Sequence, residues 1–230
     1  MSAVTLSAVL FDMDGTLVDS EKLWTVALER VAERLGGPLS GAARAAMIGQ
    51  DIDDSIRMLI ADVGSTAEAT AVRTMLLEVT AEVFREGMPW QPGASALLDE
   101  VRAAGMSTAL VTATYRSLVE IALETLGRER FDVLVCGDEV QRPKPDPEPY
   151  LRAMQLLGVA AENSVAVEDS PNGSRSALAA GLPVLVVPSE VAVPPAPGLV
   201  FAGSLAGVDV ERLREIHRDR TTIVSTVAAG

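Results

Sequence analysis

The sequence predicts an α/β protein: a doubly wound parallel sheet interrupted early by an inserted helical unit. Three observations predict it. Short apolar runs of strand length, first at Ala8-Val9-Leu10-Phe11 and again from Ser107, alternate with amphipathic helical segments between Gly93 and Val187. That rhythm belongs to a parallel sheet covered on both faces. Between Ser20 and Pro92 the apolar period is helical throughout, much longer than the dozen or so residues a crossover between parallel strands needs. Acidic residues gather at predicted strand ends, Asp12 and Asp14 after the first run and Glu168 and Asp169 after a later one, where open sheets hold their ligands. Residues 1–18 and 90–220 are therefore expected to form the α/β core, 19–89 the inserted unit and 221–230 a tail.

The elements follow in order. Ala8 to Phe11 is a buried strand, and Gly15 lets the chain turn sharply behind Asp14. Leu23, Ala27, Leu28, Val31 and Leu35 mark one helix face, with Ser20 at its N-cap and Gly36-Gly37-Pro38 as its stop. Further helices are expected at Gly41 to Ile48, around Ile56, Leu59, Ile60 and Val63, and from Val72 to Phe84. Linkers near Val18 to Glu21 and Met88 to Gly93 join this unit to the rest. Leu97, Leu98 and Val101 then make a helix ended by Gly105, and Ser107 to Thr112 a strand. A helix through Leu118, Ile121, Ala122 and Leu126 leads to a strand at Val133 to Cys136. Pro147 to Leu157 is a helix capped by Asp146, Ser164 to Val167 a strand, and Ser170-Pro171 opens a helix that Gly181 ends. Val184 to Val187 is another strand, Pro188 to Pro197 a loop, Leu199 to Phe201 a short edge strand and Val210 to Arg220 a last helix.

Composition narrows the function. Apolar residues make up 48% of the 230 and charged ones 22%, enough to fold around a sizeable core. A formal net charge of −13 argues against nucleic acid as partner, because no basic stripe exists to neutralise phosphates. The single cysteine, Cys136, excludes an internal disulfide and reads as a buried thiol. With no secretory pattern at the N-terminus, a cytoplasmic protein is expected. The apolar stretch from Leu182 to Ala202 is broken by five prolines and Glu190, so no membrane span is expected. Nothing in the pattern fixes the oligomeric state, and a monomer is favoured.

The chemistry concentrates at strand tips. Two carboxylates one residue apart at a half-dry tip repel each other unless a cation neutralises them. Glu168 and Asp169 repeat that arrangement on a second strand, and with no histidine nearby they make an all-oxygen site that suits Mg²⁺. Thr112 ends another strand, where its hydroxyl and the following backbone N–H groups suit either a helix cap or a bound phosphate. Arg142-Pro143-Lys144-Pro145-Asp146-Pro147 is a loop whose prolines aim one ammonium.

Taken in order, Asp12-x-Asp14-Gly15-Thr16-Leu17-Val18-Asp19-Ser20, Thr112, Lys144 and Glu168-Asp169 resemble the four motifs of the haloacid dehalogenase-like superfamily of phosphohydrolases. Within it the chain is similar to the subfamily with an α-helical cap, on the branch of sugar-phosphate phosphatases and beta-phosphoglucomutase-like proteins. The resemblance implies a Rossmann-like core with residues 19–89 as the cap. It implies Asp12 as nucleophile, forming an aspartyl-phosphate, and Asp14 as general acid and base. It implies Mg²⁺ held by Asp12, the Asp14 backbone carbonyl, Asp169 and Glu168, the last directly or through water. Thr112, the Ala113 amide and Lys144 would hold the phosphate, with Glu21 and Trp24 as candidate substrate contacts.

A phosphomutase of the beta-phosphoglucomutase type is the alternative. Its cap carries a His and an Arg for a second phosphate, and here Trp24 and Ile52 stand in those places. Thr16 after Gly15 also matches the phosphatases. The start of the cap, from Asp19 to Trp24, together with Glu168 to Gly173, looks like phosphatases acting on hexose, deoxyhexose or hexitol phosphates. A reading from another class is a phosphoacceptor signalling module, which would share the acids, Thr and Lys but lack the helical insertion and turnover.

Overall fold

Four consecutive apolar residues at the start of the described chain make the central strand, β1 (Ala8–Phe11), buried along its whole length. Its side chains alternate between two apolar layers, Val9 and Phe11 on one face and Ala8 and Leu10 on the other. The computed structural model describes residues 5–48, 50, 52–187 and 191–227. Residues 1–4, Gly49 and Asp51 of the inserted unit, residues 188–190 of the late loop and residues 228–230 of the tail lie outside the description.

The chain leaves β1 into four helices: α1 (Glu21–Leu35), α2 (Gly41–Met47), α3 (Ile52–Asp62) and α4 (Ala69–Arg85). Their apolar faces enclose a cluster of their own around Ala27, Leu28, Val31, Ile56, Leu59, Val72, Leu76 and Val79. Entry and exit run side by side, with Asp19 N–H on Pro89 O at 2.9 Å and Gln91 N–H on Leu17 O at 2.8 Å.

The alternating half follows as α5 (Ala94–Ala103), β2 (Ser107–Val111), α6 (Arg116–Leu126), β3 (Val133–Val135), α7 (Glu148–Leu157), β4 (Ser164–Glu168), α8 (Pro171–Ala179), β5 (Val184–Val186), β6 (Leu199–Phe201) and α9 (Val210–Val227). The six strands lie in the order β3-β2-β1-β4-β5-β6, every pair parallel. Phe11 stands level with Leu110 on one side and Val167 on the other. The sheet grows outward in both directions from β1 and β4, so a crevice opens between their C-terminal ends, where ligands bind in such sheets.

Boundaries differ from the sequence expectation by small amounts. β2, β3 and β5 each stop one residue earlier, at Val111, Val135 and Val186, and α2 stops at Met47. β4 runs one residue further, through Glu168, because Val187 N–H extends the ladder onto Glu168 O at 2.8 Å. α7 begins at Glu148 with Pro147 at its N-cap, and the Asp146 carboxylate accepts the Glu148 N–H at 3.0 Å. α9 continues past Arg220 to Val227. Ser20 does sit at the N-cap of α1, yet its side chain makes no capping bond; the site explains why.

Candidate active site

The β1 ladder ends by delivering Asp12, whose N–H reaches Val167 O at 3.0 Å. Gly15, at φ 75°, folds the chain back so that its N–H meets Val18 O at 2.9 Å; a side chain at that φ would be strained. This tight turn places Asp12 and Asp14 on the wall of one cavity.

Asp14 accepts four side-chain hydrogen bonds. Oδ1 takes the Ser20 hydroxyl at 2.6 Å and the Trp24 indole N–H at 3.1 Å. Oδ2 takes the Thr112 hydroxyl at 3.2 Å and the Thr114 hydroxyl at 2.7 Å. Ser20 therefore leaves α1 uncapped because its hydroxyl is committed to Asp14. The Thr112 hydroxyl, expected to face a phosphate, is likewise engaged: it donates to Asp14 and accepts the Thr114 N–H at 3.0 Å. Ala113 lines the cavity, and among the described residues no hydrogen bond takes its N–H. Gly137 keeps that loop close, since a Cβ there would stand 2.0 Å from Ala113 O.

Lys144 arrives from the loop after β3 with its side chain 5% exposed. Its ammonium donates to Asp12 Oδ1 at 2.6 Å, Glu168 Oε1 at 2.6 Å and Val111 O at 2.8 Å. An ammonium has three hydrogens, so all are engaged by the protein, and a phosphate oxygen would have to displace one acceptor. Glu168 is fully buried and its Oε1 also accepts the Tyr150 hydroxyl at 2.6 Å. The Tyr150 ring lies 5.2 Å from the ammonium, near enough for a cation–π contact. Gly173, near the start of α8, packs against the same carboxylate: a Cβ there would sit 2.0 Å from both Glu168 oxygens.

Negative charge outweighs positive here. Burial raises Asp12 to about 7, with Glu168 and Asp14 adding to the rise and Lys144 opposing it. Burial, then the charges of Asp12 and Glu168, also raise Asp169 well above the ordinary carboxylate range. Burial works against the Lys144 charge, but Asp12 and Glu168 override it and raise its pKa. One oxygen from each of Asp12, Glu168 and Asp169 lies within 4.8 Å of the others. An all-oxygen, buried cluster with surplus negative charge fits a hard divalent cation. The Asp14 carboxylate is turned to its four donors and stands outside this group, which leaves only its backbone carbonyl for the metal role expected of it.

The cavity has a volume of about 480 Å³ and its far walls come from α1 to α4. Glu21 and Trp24 both line it. Trp24 serves two surfaces at once, its N–H on Asp14 and its ring edge-on to Phe84 with centroids 5.8 Å apart. Several site residues escaped sequence reasoning. Thr114 had a readable signal, because Thr112-x-Thr114 repeats the spacing of Asp12-x-Asp14. Tyr150, in the first turn of the helix after Lys144, had a weak one; Arg44 and Ser55, also on the cavity wall, had none. Cys136 is buried as expected, and burial pushes its thiol up to about 12.

A family profile for the haloacid dehalogenase-like hydrolases matches residues 9–187. The chain is 34% identical, over 77% of its length and 82% of the relative's, to a phosphorylated carbohydrates phosphatase of Thermotoga maritima. It is 37% identical to hexitol phosphatase A of Escherichia coli, over 80% and 84% of the two chains. Among solved structures it superposes on CbbY from Rhodobacter sphaeroides in complex with phosphate, with a TM-score of 0.81, 28% identity and coverage of 91% and 99%. No helix among the described residues is long and apolar enough to cross a membrane. With these likenesses added to its sheet order and its strand-tip acids, the chain belongs to the haloacid dehalogenase-like hydrolases.

Proposed function

We propose that the protein is a cytoplasmic, Mg²⁺-dependent phosphatase that hydrolyses a small phosphorylated metabolite of the sugar or sugar-alcohol type through an aspartyl-phosphate on Asp12. The observation that carries this reading is the pairing of two unlike carboxylates at the tip of β1. Asp12 is pinned by Lys144, and Asp14 is held beside it by four donors. The named activities of the two curated relatives support the substrate class.

In the first step an Asp12 oxygen attacks phosphorus and the ester P–O bond breaks, leaving an acyl phosphate. Asp14 gives its proton to the departing alkoxide. The Trp24 N–H is a donor only, so Oδ1 of Asp14 remains an acceptor and the mobile proton belongs on Oδ2. The Thr112 and Thr114 hydroxyls there can turn either way. In the second step Asp14, now ionised, takes a proton from water, the oxygen attacks phosphorus, and Asp12 is released with inorganic phosphate. Lys144 and the Ala113 N–H hold equatorial oxygens, positioning and electrostatics being most of phosphoryl transfer. Bound by Asp12, Asp169, the Asp14 carbonyl and, directly or through water, Glu168, Mg²⁺ supplies the charge that offsets repulsion between Asp12 and the phosphate. Residues 19–89 act as a cap that closes the reacting groups off from bulk solvent once substrate is bound.

The test is steady release of phosphate from p-nitrophenyl phosphate and a panel of sugar and hexitol phosphates, with and without Mg²⁺, by wild type and Asp12→Asn side by side. Turnover that needs Mg²⁺ and vanishes in Asp12→Asn is expected. Equal activity in the two proteins removes the mechanism, and one phosphoryl group per chain without turnover selects the signalling alternative.

A further inference from the structure

We propose that Tyr150 is a positioning residue for phosphate capture: its hydroxyl keeps Glu168 satisfied while the Lys144 ammonium lets go of that carboxylate to take a phosphate oxygen. This rests on the phosphatase reading and names which of the three Lys144 contacts the phosphate displaces.

The first support is where the acceptors stand. Lys144 has its three hydrogens on Asp12, Glu168 and Val111, so a phosphate oxygen gains a bond only where one of these is given up. Asp12 and Lys144 line the cavity, whereas Glu168, its side chain 0% exposed, is not part of the cavity wall. A phosphate enters from the cavity and draws the ammonium towards it, away from the acceptor that stands behind. Kept on Asp12, the same ammonium then sits beside both anions that must meet, attacker and phosphate, and offsets their repulsion.

The second support is the substitute donor. Releasing Lys144 would leave a buried carboxylate oxygen bare, which is costly. Tyr150 prevents this, because its hydroxyl donates to the same Oε1 at 2.6 Å. Among the described residues, no second side-chain donor stands on Asp12 Oδ1 or Val111 O, so of the three contacts only the one to Glu168 has a replacement in place. The Asp169 N–H at 3.3 Å and the Ser170 hydroxyl at 3.4 Å are both on Oε2, which leaves Oε1 to Lys144 and Tyr150. Tyr150 is itself fully buried in the first turn of α7, and among the described residues its hydroxyl bonds Glu168 alone.

Tyr150→Phe tests it, since the hydroxyl is lost while the ring that lies 5.2 Å from the ammonium is kept. Inorganic phosphate is titrated by calorimetry into the Mg²⁺-loaded protein at two saturating Mg²⁺ concentrations, and melting is followed without phosphate. Phosphate should bind about tenfold more weakly to the variant, the worth of one hydrogen bond to a charged group, and KM for p-nitrophenyl phosphate should rise by the same factor. The phosphate-free Tm should stay close to that of wild type, because Lys144 still covers Oε1 there. Unchanged phosphate affinity, with or without a melting loss, overturns the exchange and assigns the hydroxyl to the fold alone. A binding defect that shrinks at the higher Mg²⁺ concentration overturns it as well, by assigning the hydroxyl to the metal. Phosphate binding that depends on Tyr150 in a protein that hydrolyses no ester would instead remove the phosphatase reading alone.

Discussion

The strand-tip half of the cavity and its helical half are built on opposite terms. At the strand tips, polar groups are matched several times over: Asp14 by four donors, Lys144 by three acceptors, and Glu168 by an ammonium and a phenol. On the helical side the wall mixes apolar residues such as Leu28, Met47, Ile52 and Leu76 with polar ones such as Thr25, Gln50 and Arg44, and no comparable network ties the polar ones to the strand tips. The difference teaches where constraint lies. Reaction geometry must be fixed before substrate arrives, whereas substrate choice needs groups that only the substrate satisfies.

The largest effect should come from breaking the most heavily matched group. Lys144→Met leaves Asp12, Glu168 and Asp169 buried without their cation. Removing one partner of a buried ion pair costs roughly 3–5 kcal/mol, and the loss of charge on the phosphate side should lower kcat by at least about 10²-fold. Thermal unfolding and phosphate release measure the two. Because Asp12 and Asp169 can take up protons, the stability deficit should be smaller at pH 5 than at pH 8. A deficit independent of pH would mean that the ammonium is not what balances those acids.

Next in size is Gly173→Ala. The new methyl would meet the Glu168 carboxylate at 2.0 Å, and Glu168 cannot step aside without releasing Lys144 and Tyr150. Overpacking of this kind costs about 1–3 kcal/mol, and disturbing a ligand's surroundings lowers metal affinity or activity by roughly 10–100-fold. A titration of activity against Mg²⁺ should shift to higher concentration. An unshifted titration would show that Glu168 acts on Lys144 without bearing on the metal.

The same contrast explains how much the sequence disclosed. Period and punctuation carried the fold, because a strand buried on both faces such as Val133–Val135 and a helix ended by Gly36 or Gly158 leave local marks. The strand-tip groups were legible for a related reason, since acids and a proline-flanked lysine are out of place at apolar run ends. Ser20 stands at the N-cap, as a serine before a helix predicts, but its bond to Asp14 was not legible, because only the turn at Gly15 brings that carboxylate within 2.6 Å. Arg44 was invisible because an arginine on a short surface helix is ordinary by composition. What sets it apart is its place on the cavity wall, which the packing of the four helices over the strand tips decides rather than the residue itself.

Trp24 stands on the border of the two halves, so its substitution tests the division itself. Trp24→Phe keeps the ring against Phe84 and removes the N–H from Asp14. The expectation is a fall in kcat of about tenfold, the worth of one hydrogen bond to a charged group at the low end of its range. KM for p-nitrophenyl phosphate should change little. A rise in KM at constant kcat would place Trp24 with the substrate-choosing wall instead.

The smallest effect is the dependence of stability on pH. Burial raises Asp12 to about 7 in the folded, metal-free protein, against an ordinary 3.8. Between those limits the native state holds a proton that the unfolded chain has released, so this group's contribution falls as pH rises through the window and is level above it. Asp169 is raised in the same sense. Asp132 and Glu139 are held below their ordinary values, so their contribution is lost only at lower pH and does not cancel the slope. On the proposed reading a metal held by Asp12 displaces that proton, so Mg²⁺ affinity should rise over the interval in which metal-free stability falls. Melting curves from pH 5 to pH 8 should therefore diverge, the metal-free Tm drifting down and the increment from Mg²⁺ growing. Asp12→Asn should flatten the metal-free drift; if it leaves the drift intact, Lys144 already neutralises Asp12 and the excess charge that invites a cation sits on Asp169.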